Sequence, residues 1–308
     1  MNRPSVAART TASPATEAVC AVIVTYHPDA GLADRIEKVI KQVGQIVIVD
    51  NGSQGAGLQQ IRDVVDRLAV HLISNASNEG IARALNTGVR WAESRGYLWV
   101  LTLDQDSIVA ADMVSSLLDV FHDDQFPEKV AVIGSNFRDK VSGRTLCDDM
   151  IRPASPSGCE MKTVLTSGSL VSVDAFRSIG GFREDFFVDC VDHEYCLRAR
   201  SRGYRILMTA KVVMEHGLGV PTEHRLLWGK FGTSNHSPLR RYLMARNIMI
   251  LVREYLDKEP AWIVRCLWIH SKSMLLVCLF EKQRISKVKG TIRGCIDGIM
   301  GRTRFSGD

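Results

Sequence analysis

The sequence predicts an α/β fold, a mostly parallel sheet flanked by helices and Rossmann-like in layout, followed by a C-terminal helical extension. Three observations lead there. From Val19 onward, short apolar runs of strand length alternate with stretches of helical spacing. The connections are short, which suits crossovers between neighbouring parallel strands. Each apolar run stops at polar residues, which would sit on the carboxyl edge of an open sheet, where such folds bind ligands.

The first strand, Val19–Thr25, is closed by Tyr26-His27-Pro28-Asp29, where proline blocks continuation. Leu32, Ile36, Val39, Ile40 and Val43 give a helix over Leu32–Val43. Gln45–Asp50 is a second strand, ended by Asp50-Asn51-Gly52-Ser53. A helix at about Leu58–Leu68, a strand at Val70–Ser74 and a helix at Ile81–Ser94 lead into Tyr97–Asp104. That last run, Leu-Trp-Val-Leu-Thr-Leu-Asp-Gln-Asp-Ser at 98–107, reads as a strand buried on both faces. It ends at Asp104 and Asp106, two apart, so both carboxylates can converge on one spot. Two hard oxygen donors there suit Mg²⁺ or Mn²⁺ carrying a diphosphate.

Beyond the carboxylates, Ala111–Phe121 is predicted helical and Val130–Ser135 extended. Residues 137–165 are rich in Gly, Ser, Pro and charge and read as an irregular excursion or hairpin. Thr163–Val173 resumes strand character around Thr166-Ser167-Gly168, and Asp174 is expected to cap a short helix ending at Gly180-Gly181. Val191–Ser201 is helical, with Arg205–Met208 and Val212–Glu215 as final strands. Leu239–Leu256 and Trp262–Phe280 are helices. The latter's longest unbroken apolar run, Met274–Phe280, falls short of the ~20 residues of a membrane span, so no crossing is expected. With the basic stretch Lys282–Arg293 behind it, it would lie in an anionic interface or pack on the core or a second subunit.

The 308 residues carry a net charge of +5, and residues 261–308 hold nine Lys/Arg against three Asp/Glu. The basic excess therefore belongs to the tail, and no nucleic-acid-binding core is expected. Eight cysteines lie without Cys-x-x-Cys or zinc-ligand spacing, which fits free thiols in a reducing cytosol. Met1 to about Ala18 is rich in Ala, Thr, Ser and Pro without the apolar core of a signal peptide, and is expected to be a disordered leader.

No Gly-x-Gly-x-x-Gly follows the first strand and no Gly-x-x-x-x-Gly-Lys-Ser/Thr occurs, so a dinucleotide-dependent dehydrogenase and a P-loop NTPase lack their fingerprints. Instead Thr25-Tyr26, Asp50-Asn51, Asn75 to Gly80 and Asp104/Asp106 fall at successive strand ends and share one rim. The residues alone reach a sugar-nucleotide or nucleotide-diphosphate site with a divalent metal.

The ordered motifs resemble the family 2 glycosyltransferases of GT-A fold. They are Val-Thr-Tyr-His-Pro at 24–28, Val-Asp-Asn-Gly-Ser at 49–53, Asn-x-Gly-x-Ala-x-Ala-x-Asn-x-Gly at 78–88 and Leu-Asp-Gln-Asp-Ser at 103–107. Thr-Ser-Gly-Ser at 166–169, Gly-Gly-Phe at 180–182, Phe-Val-Asp-Cys-Val-Asp-His-Glu-Tyr-Cys-Leu-Arg at 187–198 and Pro-Leu-Arg-Arg-Tyr-Leu-Met-Ala-Arg-Asn at 238–247 are similar to the bacterial rhamnosyltransferase branch. That resemblance, which covers about residues 19–250, implies a donor- and metal-binding catalytic domain over 19–225, and the apolar helix and basic tail make 226–308 a helical, basic region suited to a membrane surface or a second subunit. It implies an inverting, metal-dependent transfer of L-rhamnose from dTDP-L-rhamnose to a glycolipid or lipid-linked glycan, of the O-antigen or rhamnolipid kind. The place implied is the cytoplasmic face of the inner membrane. Another nucleotide sugar, or a non-catalytic nucleotide-sugar-binding assembly protein, stays open.

Carried over position by position, Asp50 would accept the N3–H of the donor base, its rival role being an Asx turn before Asn51. Thr25 and Tyr26 would line the nucleoside pocket. Asn51, Asn78, Gly80, Arg83 and Asn86 would shape the ribose and diphosphate wall, with Arg83 equally suited to a solvated helix face. Asp106 would coordinate the metal, with Asp104 and Gln105 nearer the ribose and His216 a further metal ligand. Ser167 and Gly168 would sit by the transferred sugar. Asp192 would be the general base, rivalled by Asp189 and Glu194, and as a first-turn helix acid it also suits the macrodipole. Of Arg240, Arg241 and Arg246, Arg246 would reach the donor phosphates, while Arg240 leans to an exposed basic face.

Overall fold

The computed structural model describes residues 14–139, 155–216, 222–226, 229–233 and 235–303. The first half alternates as predicted: α1 (Pro14–Glu17), β1 (Val19–Thr25), α2 (Leu32–Val39), β2 (Gln45–Asp50), α3 (Gly55–Arg67), β3 (Val70–Ser74), α4 (Ile81–Ser94) and β4 (Trp99–Asp104). The short β5 (Ile108–Val109), α5 (Met113–His122), β6 (Val130–Asp139), β7 (Gly158–Met161), β8 (Ser169–Ser172), α6 (Val173–Ile179), α7 (Val191–Ser201) and β9 (Arg205–His216) follow. A hairpin of β10 (Thr222–Leu226) and β11 (Gly229–Thr233) leads to three helices, α8 (Pro238–Tyr255), α9 (Pro260–Phe280) and α10 (Arg284–Ile299).

Nine strands form one sheet in the order β3-β2-β1-β4-β8-β6-β9-β5, with β7 added to β9. β1 to β4 run parallel, in a register that pairs Thr25 with Asp50 and Val24 with Asp104. β8 lies antiparallel between β4 and β6. All seven residues of β1 are buried, because successive side chains feed opposite cores. Cys20, Val22 and Val24 join α4, α6 and α7 on one side. Val19, Ala21 and Ile23 join α2 and α5 on the other.

Several elements differ from expectation for local reasons. Arg205–Met208 and Val212–Glu215 are one strand, β9, because β6 pairs along its length and absorbs the extra residues as register shifts. Ser172, not Asp174, caps α6, its hydroxyl accepting from the Ala175 amide. Residues 14–17 of the expected leader are helical and the rest of it lies outside the described residues, as do 140–154 of the expected excursion. The seven described cysteines are all free.

The basic stretch after Phe280 is a helix, α10, packed tightly along α8. Gly290, Gly294 and Gly298 lie one turn apart, and a Cβ on any of them would collide with the carbonyl oxygens of Pro238, Tyr242 or Arg246. At 21 residues α9 is, by length and composition, long and apolar enough to cross a membrane, and only 11% of its most apolar stretch is buried. The expectation that its broken apolar run rules this out is corrected on that count. Arg265 and Lys272 are too few to disqualify it.

The junction of α9 and α10 closes on a buried ion triad. Glu281 accepts from Arg241 at 3.0 Å and Lys287 at 2.8 Å, with all three side chains no more than 3% exposed. Burial alone would raise the Glu281 carboxyl, but Lys287 and Arg241 outweigh it and hold the group below the usual carboxylate range. Its stabilising contribution is therefore full above the unfolded-state value and is lost as pH falls through the lower folded-state value. Glu281→Ala, which strands two buried cations, is expected to cost about 3–5 kcal/mol. Urea unfolding at neutral pH reads this directly, and the gap between wild type and variant should shrink on acidification.

Candidate active site

The parallel strands deliver their ends to a cleft of about 230 Å³, lined by Val24, Thr25, Tyr26, Asn51, Asn78, Gly80, Ile81, Asp104, Gln105, Phe187 and Val188. Three adjacent strand ends, Thr25, Asp50 and Asp104, lie side by side through the register of β1 with β2 and β4. Gln105 pins the turn after β1, accepting from the Tyr26 amide at 2.7 Å and donating to the Tyr26 carbonyl at 3.2 Å. Tyr26 itself remains 46% exposed at the mouth.

Asp50 takes its Asx-turn role. It is 2% exposed and accepts from the Thr25 hydroxyl at 3.0 Å, the Ser53 amide at 2.9 Å and the Ser53 hydroxyl. It underlies the cleft wall, with one acceptor position of Oδ2 left over. Asn51 brackets the loop opposite: its amide donates to Asn78 Oδ1 and the Gly80 carbonyl, and its oxygen accepts from Asn75. Gly80 is held at φ 85°, where a Cβ would also meet the Phe187 backbone, so only glycine lets the two loops touch.

Beside Asp104, the turn at 166–169 locks onto β4. Ser167 Oγ accepts from the Asp104 amide at 3.1 Å and lies 2.6 Å from Ser107 Oγ, while the Gly168 amide donates to the Thr102 carbonyl. Thr166 and Ser169 also line a narrow cavity shared with Asp192 and Tyr195, so one turn borders both carboxylate regions. Asp106 is exposed and makes no hydrogen bond or ion pair among the described residues. The register of β5 with β9, Ile108 opposite Glu215, brings the His216 backbone beside Ser107, next to Asp106. The His216 side chain lies outside the described residues. No group of three or more His, Cys, Asp or Glu gathers among the described residues. The chemistry still fits a hard divalent cation, because such ions commonly take one or two carboxylates and fill the remaining positions with water and substrate phosphate.

Three acids near the start of α7 compete for one role, and their partners separate them. Glu194 is 1% exposed, with Arg198 donating to both its oxygens at 2.9 Å and the Tyr255 hydroxyl at 3.1 Å. Burial pushes its carboxyl up, against the pull of Arg198. Asp189 receives a bidentate pair from Arg240, both bonds 2.9 Å. Asp192 accepts only the His193 amide, at 2.8 Å, and no Arg or Lys pairs with it among the described residues.

Three residues expected at the donor stand elsewhere. Arg83 is exposed and pairs with Glu79 and Glu184. Asn86, 1% exposed, bonds both the amide and the carbonyl of Phe182 and ties α4 to the Gly-Gly-Phe loop. Arg246 is fully buried, and donates to the carbonyls of Asp185 and Thr303 and to Asn247 Oδ1. Arg240 pairs with Asp189, and the charge of Asp104, which lines the cleft, also acts on it.

Asn247 and Phe187 had no expected role. The Asn247 amide donates to the carbonyls of Phe186, Val188 and Asp189 at 2.9–3.0 Å, gripping a loop in which Phe187, Asp189 and Cys190 all have positive φ. Asn247→Ala is expected to lower stability by about 1–3 kcal/mol. It should also speed exchange of the amides of residues 187–190 by about tenfold or more, each ~1.4 kcal/mol of lost local protection being tenfold. Unchanged exchange in hydrogen–deuterium mass spectrometry would show that the loop holds its shape without this residue.

Residues 20–147 match the family described as Glycosyl transferase family 2. Along most of its length the chain is similar to the dTDP-rhamnosyl transferase RfbF of Shigella flexneri, 28% identical over 297 residues, covering 92% of this chain and 96% of that one. S. aureus TarS 1-349, solved in complex with UDP-GlcNAc, shares the fold with a TM-score of 0.56 at 17% identity, covering 92% of this chain and 82% of that one. The chain spans 50% of the longer TarS structure. The mannosyltransferase PcManGT of Pyrobaculum calidifontis, solved with GDP-Man and Mn²⁺, gives a TM-score of 0.58 at 14% identity, covering 92% of this chain and 87% of that one. Residues 20–147 therefore carry a glycosyl transferase family 2 domain, and with the relative aligned along nearly its whole length the chain is a glycosyltransferase of GT-A fold.

Proposed function

We propose that this glycosyltransferase moves L-rhamnose from dTDP-L-rhamnose, with inversion, to a hydroxyl of a glycolipid or lipid-linked glycan. The single observation that carries the mechanism is Asp192, the one acid of its cluster that no Arg or Lys pairs with among the described residues, with His193 Nδ1 lying 3.9 Å from its Oδ1. The donor rests on the likeness to the Shigella flexneri dTDP-rhamnosyl transferase.

In this reading the nucleoside lies in the cleft between Thr25, Tyr26, Asn78 and Phe187, with Gln105 fixing the turn that receives it. Asp106, Asp104 and His216 would hold a divalent cation. When bound, that ion acts as a Lewis acid that neutralises the departing diphosphate. Arg240, poised between Asp189 and Asp104, meets the same developing charge with a guanidinium, whose planar fork suits phosphate oxygens. Asp192 takes the proton from the acceptor hydroxyl as that oxygen bonds to the anomeric carbon. The bond from the anomeric carbon to the phosphate oxygen breaks, and its electron pair leaves with dTDP. Asp192 Oδ1 is occupied by the His193 amide, so the proton goes to Oδ2. Attack opposite the leaving group inverts the centre.

Asp192→Asn is expected to lower kcat by about 10²–10⁴, the usual worth of a general base, while dTDP-rhamnose binding by calorimetry changes less than about twofold. Arg240→Ala should raise the donor KM and weaken dTDP binding by about tenfold, the loss of a charge-assisted pair. Chelation should abolish turnover, with Mg²⁺ or Mn²⁺ restoring it. Turnover of UDP-hexoses without turnover of dTDP-rhamnose would overturn the donor assignment, and full activity of Asp192→Asn would overturn the base.

A further inference from the structure

The surface of α9 and α10 is unlike the rest of the molecule. On α9, Val264, Trp268, Leu275 and Leu279 recur at helical spacing on the face opposite buried Ile263 and Val277. On α10, Ile285, Ile292, Ile296 and Ile299 recur in the same way, opposite the glycines that contact α8. All eight side chains are between 46% and 70% exposed. Two adjacent helices thus each turn a complete apolar stripe outward, far more than the isolated exposed residues normal on a protein surface.

The charges beside the stripes have one sign. Arg265, Lys272, Lys282, Arg284, Lys289 and Arg293 are exposed, and Lys272 lies 5.3 Å over the Trp268 ring. The acids described between 260 and 303, Glu281 and Asp297, are buried and consumed by Arg241, Lys287, Arg302 and Tyr242, with Arg293 of the rim also 3.8 Å from Asp297. An apolar face rimmed by cations without exposed carboxylates complements an anionic lipid surface, and it would repel a second copy carrying the same charges.

Both ends of α9 are tied to the catalytic body. Glu259 at its start pairs with Arg200 at 2.9 Å and Lys162 at 2.8 Å, and Glu281 at its end belongs to the buried triad. The helix, about 31 Å long, therefore lies along the body and does not thread away from it. Its first turn also touches the site: the Trp262 ring is 5.2 Å from that of His193, the neighbour of Asp192.

We propose that α9 and α10 lie side by side in the interface of an anionic phospholipid bilayer, stripes down, without crossing it. The proposal is independent of the donor and of the metal, and it sets the base helix, α7, close to the lipid surface.

The test is cosedimentation of the full chain with vesicles of phosphatidylglycerol and phosphatidylcholine against phosphatidylcholine alone. Binding to the anionic vesicles should be about tenfold or more stronger, given the worth of several basic residues near a charged surface, and should fall as salt rises. Trp268→Glu with Ile292→Glu should abolish binding, and Lys272→Glu with Lys289→Glu should erase the preference for phosphatidylglycerol. Neither pair is expected to change donor turnover with a water-soluble acceptor analogue or the far-ultraviolet dichroism, which reads folding separately. Equal sedimentation of the wild type and the apolar-face variant overturns the proposal. So does a vesicle-independent dimer that this variant dissociates, since a second copy would then cover the face.

Discussion

The Asn247 side-chain amide is shared among the carbonyls of Phe186, Val188 and Asp189, and its own oxygen is fixed by the Arg246 guanidinium. The loop it grips places Phe187, Asp189 and Cys190 in the left-handed region, at about 1–2 kcal/mol each for residues with a Cβ. Such backbone persists only when its surroundings over-determine it. This loop supplies Phe187 and Val188 to the nucleotide cleft, carries Asp189 and launches α7 with Asp192 in its first turn. The catalytic end of the molecule therefore depends on a side chain from α8, outside the alternating β/α half.

That dependence changes what the C-terminal helices are. α8 is shaped on one side by the loop and on the other by the glycine ridge of α10, where backbone meets backbone with no side chain between. Arg246 reaches through the contact, donating to the Asp185 carbonyl on the catalytic side and to Thr303 after α10 on the other. A force or ligand acting on α10 is thus two contacts from the loop that launches α7. If the outward stripes rest on lipid and Asp192 is the base, the surface presenting a lipid-borne acceptor and the residue deprotonating it share one rigid support.

Much of the first half was legible. Strands β1, β2 and β3 fall at the bounds that their apolar runs predict, β1 and β2 because they are buried on both faces and β3 although, at the sheet edge, it is only half-buried. The convergence of strand ends follows from parallel topology. What stayed hidden needed distant partners. Asn86 reads as a pocket residue in its motif, but it bonds Phe182 ninety-six positions away, and no local signal foretells that. Arg240 and Arg246 could not be sorted because α8 is buried on several sides, so it has no single apolar stripe to set its phase. The glycines of α10 look like helix breakers in sequence, yet they are the feature that lets α10 pack. The motif carrying Asp192 was plain, but the arginine pairings that set Asp189 and Glu194 apart from Asp192 show only in the fold.

Those partners also explain why the cluster has three acids. A base must keep a lone pair free to meet the incoming proton, and carboxylate oxygens already accepting from a guanidinium have fewer to offer. Glu194 spends its charge on Arg198, which in turn holds the carbonyls of Ile179 and Gly181, so this pair builds the wall behind the site. Asp189 spends its charge orienting Arg240 toward Asp104. In the proposed reaction this division sets the polarity of the cleft. A positive group faces the leaving diphosphate, and an uncompensated negative one faces the incoming hydroxyl. Neutralising Asp192 with a nearby cation would remove that gradient even if every contact to the nucleotide survived. The arrangement therefore needs Asp189 and Glu194 as acids so that Asp192 can be left unpaired.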